Sequence, residues 1–146
     1  MRLIAAIYLF CFTMLASAGE SLVSMTYWHT MRIPHSRVEV VIDTKGVLTV
    51  EVESRGKDKK VSKTKLSREE VKQLSKQLEG LDWQKVSGDK TRGLDGTSVS
   101  ITSGKPKATL WSPDYDSKKR GLVDIQKLIE TIFRAAELTP AGMLKR

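Results

Sequence analysis

Cysteine and histidine are nearly missing from this sequence, which holds one cysteine, Cys11, and two histidines, His29 and His35, among 146 residues. Cys11 sits between Phe10 and Phe12 inside an apolar run, so everything after that run is free of thiols. Disulfides, thiol nucleophiles, iron–sulfur clusters and cysteine-ligated zinc are thereby excluded from the body of the chain. His29 and His35 flank Pro34 with no third ligand at a diagnostic spacing, so surface or edge-strand histidines are expected and no metal or other cofactor is. No Gly-x-Ser-x-Gly elbow and no serine with an assignable base is present, which leaves a hydrolase without its parts. The expectation is a protein that is not an enzyme.

What is present begins with an address. Arg2 forms a short positive region, the apolar run extends from Leu3 to Leu15, and Ala16-Ser17-Ala18 has the small-x-small pattern of a leader cleavage site. The run is shorter than the about 20 residues needed to cross a bilayer. We expect cleavage after Ala18, export to the periplasm or beyond, no transmembrane segment after cleavage, and one small domain over residues 19–146. Cys11 does not follow a small residue at a cleavage point, so it is a poor acylation site. Removing Arg2 lowers the formal charge of +8 by one, and the remaining excess of cations favours acidic proteins, anionic envelope polymers or nucleic acid as partners.

The clearest structural text runs from Arg37 to Gly80. Arg37–Asp43 and Val47–Glu53 are β-branched and mostly alternating, and Thr44-Lys45-Gly46 between them reads as a hairpin loop. Residues 61–66 alternate weakly as a third strand. Ser67-Arg68-Glu69-Glu70 is a capping box, in which the serine hydroxyl and the Glu70 carboxylate each satisfy an orphan backbone N–H. Val71, Leu74 and Leu78 then recur at helical spacing until Gly80. Leu81 and Trp83 are expected to fold back on the helix end, and residues 87–96 are a glycine-rich charged loop. A second unit follows: strands at Thr97–Thr102 and Lys107–Trp111, a loop over residues 112–118, and a helix from about Lys119 to Leu138 ended by Pro140 and Gly142. Residues 22–31 read as a further strand at the sheet edge, in keeping with Pro34. Strands, helix, strands, helix describe an α+β domain, an antiparallel sheet with two helices packed on one face.

Candidate binding residues fall in loops. Arg55, Lys57, Lys59 and Lys60 crowd a hairpin tip, with Lys63 and Lys65 beyond, and Lys118, Lys119 and Arg120 form a second basic cluster where the last helix is expected to start. Cations there oppose the helix dipole, by about 0.3–1 kcal/mol, which suggests an acidic partner or screening by Asp114 and Asp116. Asp89, Asp95, Asp114 and Asp116 read as turn-forming loop aspartates. Trp111 ends a strand and is expected in the core, while Tyr115 in its polar loop is expected to be exposed and Trp28 is a further aromatic candidate. Nucleic-acid binding would need aromatics interleaved with the cations, and here they lie apart, so none is expected.

Asp95-Gly96, the Ser98 to Thr102 strand, the Gly104 turn, the Ala108 to Trp111 strand and the Leu122 to Phe133 helix resemble the C-terminal half of small bacterial protease-inhibitor domains of the emfourin type. The hairpin, the Leu66-Ser67 cap and the Leu74/Leu78 helix resemble their N-terminal half. The resemblance covers most of the chain after the leader and is one of pattern, its one short motif an Asp-Gly before a strand. It implies a strand–helix–strand–helix protein that blocks metalloproteases by direct contact. The export signal and the extra basic strand depart from that pattern, and no inhibitory residue is carried over. The reading is an exported binding protein of the inhibitor or immunity kind that meets an acidic partner, such as a protease or toxin. The alternative is an envelope-associated structural protein that binds an anionic polymer.

Overall fold

A computed structural model of the chain describes residues 20–29 and 36–138. The leader, His35, Pro34, Pro140 and Gly142 lie outside the described residues. Among the described residues six strands are present: β1 (Ser21–His29), β2 (Ser36–Asp43), β3 (Val47–Ser54), β4 (Lys60–Lys65), β5 (Thr97–Thr102) and β6 (Lys107–Trp111). Four helices accompany them: α1 (Arg68–Glu79), α2 (Trp83–Ser87), α3 (Ser117–Arg120) and α4 (Val123–Ala135). The strands form one antiparallel sheet in the order β4-β3-β2-β1-β5-β6. The fold is α+β, as the pattern of strands and helices implies.

Alternation decides which face is buried. Val23, Met25 and Tyr27 of β1, Val38, Val40 and Ile42 of β2, Leu48 and Val50 of β3, Val99 and Ile101 of β5, and Ala108 and Leu110 of β6 are all buried on one side. Leu74 and Leu78 of α1 and Ile125, Leu128, Ile129, Ile132 and Phe133 of α4 close over them in a single core. The opposite face carries Ser24, Thr26 and Trp28 in register with Val41, Glu39 and Arg37, and with Thr102, Ser100 and Ser98. The capping box of α1 forms as read: Glu70 N–H donates to the Ser67 hydroxyl at 3.2 Å, and Ser67 N–H to the Glu70 carboxylate at 2.7 Å.

Three features differ from the sequence reading. β1 is not an edge strand; it is hydrogen-bonded to β2 on one side and β5 on the other. The two strand–helix units each leave an open strand, and β1 satisfies both with alternating residues that bury Val23, Met25 and Tyr27. Residues 83–87, for which the sequence predicts no helix, form the short helix α2, capped when the Asp82 carboxylate accepts from Lys85 N–H at 3.0 Å. The last helix does not run unbroken from Lys119 to Leu138. Gly121 turns left-handed at φ 68°, dividing the short α3 from α4. α4 stops at Ala135, before Pro140, in a Schellman ending: Leu138 N–H donates to the Phe133 carbonyl at 2.8 Å and Glu137 N–H to that of Arg134 at 3.2 Å.

Candidate binding surface

Antiparallel register gathers one set of strand ends. The end of β1 at Trp28 and His29 lies beside the starts of β2 and β5, the end of β3 lies across from Ser36, and the end of β6 at Trp111 lies across from Ser98. Here too are the β3–β4 turn with Arg55, Gly56 and Lys57, the loop that enters β5, and the loop that leaves β6. The two basic clusters of the sequence therefore share an end of the sheet, at opposite corners. β3 and β6 are four strand spacings apart, about 19 Å.

Large apolar side chains are exposed at this end. Trp28 is 48% exposed, Tyr115 59% and Leu94, three residues before β5, 98%. A fourth, Val61 at 54%, stands across β4 from Glu51, on the strand that leaves the same turn. Single exposed hydrophobic residues are ordinary, but several gathered at one end of a sheet form the kind of surface that partners cover.

Trp111 is not in the core. Its register with Ser98 assigns it to the open face, and it is only half-buried. The ring lies against Gly93 and Gly96, where a β-carbon would collide with it, and meets Tyr115 edge-on at 5.9 Å between ring centroids. The two glycines let the loop close over the indole, and Leu94 between them is left facing solvent.

Arg120 is a correction to the binding set. Its side chain is 9% exposed, against 7% for the Asp89 carboxylate it holds at 2.7 Å. The same guanidinium donates to the carbonyls of Trp111 at 2.8 Å, Ser112 at 2.7 Å and Tyr115 at 2.8 Å. Asp89 also accepts from the Thr91 hydroxyl at 3.0 Å. Arg120 thus ties the β5 entry loop to the β6 exit loop, and it offers a partner nothing. The Arg120 hydrogen bond holds the Asp89 carboxyl below the usual carboxylate range, with burial opposing and Thr91 assisting. In the sequence Asp89 looks like any turn-forming loop aspartate. The conflict between cations and a helix start was the one available signal, and it disappears because Lys118, Lys119 and Arg120 form the last turn of α3.

The other candidates are spread more loosely. Arg55 and Lys57 are exposed, and among the described residues no carboxylate pairs with either. Lys59 is bound to Glu51, which raises the ammonium pKa through that hydrogen bond and the adjacent charge. Lys60 opens β4 and is exposed. Lys119 lies 3.8 Å from Asp116 in a solvated pair, and Lys118 is exposed. Sequence reasoning missed Leu94 and Arg37, whose positions beside Trp111 and Trp28 arise from register and loop closure.

Two depressions flank this end. A groove of about 390 Å³ runs between the ends of β1, β2 and β3 and the Arg55–Lys57 turn. A cleft of about 410 Å³ opens on the core side, between α4 and the loop after β6, walled by Tyr27, Val99, Ile129 and Phe133. Among the described residues no three histidine, cysteine, aspartate or glutamate side chains gather to hold a metal ion. No known family model matches the chain, and no curated protein matches it in sequence. Among the described residues no helix is long and apolar enough to cross a membrane.

Proposed function

We propose that this chain is an exported, non-enzymatic binding protein of the inhibitor or immunity kind, which acts on another protein in the periplasm through the Trp28 end of its sheet. One observation carries this reading: Trp28, Leu94 and Tyr115 are exposed at the end where, among the described residues, no carboxylate pairs with Arg55 or Lys57. Tryptophan, tyrosine and arginine are the side chains most often found as anchors of protein interfaces, because each covers much area with few rotatable bonds or forks onto carboxylates. The leader pattern supports the address, and the resemblance to emfourin-type domains supports inhibition by contact.

Capture from periplasmic extract with the domain after Ala18, set against a Trp28→Ala, Leu94→Ala, Tyr115→Ala variant, tests the reading. A protein retained by the parent and lost by the variant, with a fall in affinity of at least about a hundredfold, is expected. Equal retention by both, or salt-reversible sedimentation with envelope polymer in place of any protein, overturns it.

A further inference from the structure

The geometry points to the groove at the ends of β1, β2 and β3 as a carboxylate-recognition site, which receives an acidic side chain from a loop of the protein partner. This rests on the proposed binding function and names the chemistry of its contact. Trp28, Arg37 and Glu53 stand directly opposite one another across the three strands, on the face away from the helices. Arg55 and Lys57 close the groove from the turn, and Ser54 lines its wall with its hydroxyl 2.8 Å from that of Ser36. Among the described residues, three cations thus meet one carboxylate, Glu53, in a space of about 390 Å³.

Arg55 and Lys57 have no carboxylate partner among the described residues, and the Arg37 contact to Glu39 is long, 3.7 Å, and solvated. An incoming carboxylate would meet two guanidinium groups able to fork onto both its oxygens. The half-exposed Trp28 ring supplies an apolar wall for the neighbouring part of the partner, and covering it removes the water that weakens exposed ion pairs.

A polyanion fits this site poorly. Immediately along the open face, Glu39 and Glu51 stand opposite each other on β2 and β3 with Lys59 bound to Glu51, so no row of free cations continues from the groove for a chain of anions to follow. Repeating anions need a stripe of cations, and single-stranded nucleic acid needs several stacking rings. Here Arg37, Arg55 and Lys57 converge on one spot beside one ring, apart from the lysines spaced along β4. The complementary surface is a lone acidic residue with neutral or basic neighbours on a protein loop.

Fluorescence anisotropy tests this with a short fluorescein-labelled peptide, one aspartate beside phenylalanine and lysine, and with an asparagine version as control. Polygalacturonate serves as the polyanion probe. Expected are salt-sensitive binding of the aspartate peptide alone, amide shifts confined to residues 28–29, 36–37 and 53–57, and at least about tenfold weaker binding with Arg37→Gln plus Arg55→Gln. Lys105→Gln plus Lys107→Gln, exposed at the opposite end of the sheet, leaves binding unchanged. Equal loss from the two pairs, no discrimination between aspartate and asparagine, or preference for polygalacturonate overturns the assignment. Arg37 and Arg55 are exposed, so unchanged melting temperatures separate loss of contact from loss of fold. If the Trp28, Leu94 and Tyr115 variant loses the captured partner while the arginine variant keeps it at parental affinity, the carboxylate site fails and the binding function stands. If neither variant loses it, both fail.

Discussion

Asp89 and Arg120 show how a single buried contact sets the shape of a surface that neither residue belongs to. The guanidinium reaches the Trp111 carbonyl at the end of β6, two carbonyls of the loop that carries Tyr115 and one carboxylate of the loop that carries Leu94. Removing either partner leaves the other's charge uncompensated in a nearly dry site, which costs about 3–5 kcal/mol. We expect Arg120→Ala to lower stability by about that amount in chemical denaturation and to loosen both loops. Acid should act on the same contact. The carboxyl pKa is lower in the folded chain than in the unfolded one, so its stabilisation is present above the unfolded value of about 3.9 and is lost as pH falls through the folded value. Asp89→Asn should flatten that acid limb of the melting-temperature profile; an unchanged limb would show that other groups govern it.

Glu137 raises a different matter at the same scale. It occupies the left-handed position of the Schellman ending with φ 52°, where a β-carbon costs about 1–2 kcal/mol. Glu137→Gly should therefore raise the melting temperature by about 2–4 °C, since glycine removes the clash while its larger chain entropy returns part of the gain. A lower melting temperature would mean that the Glu137 side chain contributes more than its backbone costs. Nothing in the sequence marked this residue, because a strained backbone angle leaves no trace in the pattern when the residue is not glycine.

Among elements, β1 is the one whose role the sequence concealed. Its alternating Val23, Met25 and Tyr27 were legible as strand, but a strand's neighbours are chosen by the whole sheet. Placed centrally, β1 joins the meander of β2, β3 and β4 to the hairpin of β5 and β6, and its amides are bonded on both sides. Hydrogen exchange should find the β1 core amides among the slowest and those of β4, fully exposed with one free edge, among the fastest strand amides. Comparable rates in β1 and β4 would contradict the central placement. β4 protects its edge in another way: Lys60, Lys63 and Lys65 along it discourage pairing with a second chain. Part of the basic hairpin read as a binding face thus also has a protective place in the fold.

For the molecule as a whole, charge and apolar exposure are arranged unequally. The cationic turn stands at one corner of the Trp28 end, and a protein so charged steers acidic partners by long-range attraction that salt screens. Reversing Arg55 and Lys57 to glutamate should slow capture of the partner about tenfold at low salt, the difference shrinking at high salt, with little change in melting temperature. Equal association rates would remove steering from the proposal. Lys59 is unsuitable for such a test, since a glutamate there would face Glu51 and disturb the hairpin.

Local interactions made much of this protein readable in one dimension. The alternation of β2 and β3, the Ser67–Glu70 box and the stripe of α4 depend on residues a few positions apart, so composition and spacing determined them. The lack of thiols after Cys11, the surplus of cations and the leader pattern are likewise properties of the chain alone. Tertiary structure decided what depends on distant partners: the central place of β1, the inward turn of Arg120 toward Asp89, the cover that Gly93 and Gly96 give to Trp111, and the meeting of Trp28 with Arg37, Arg55 and Lys57. Sheet register and loop closure bring together residues that no periodicity connects, and a binding surface is made of such meetings.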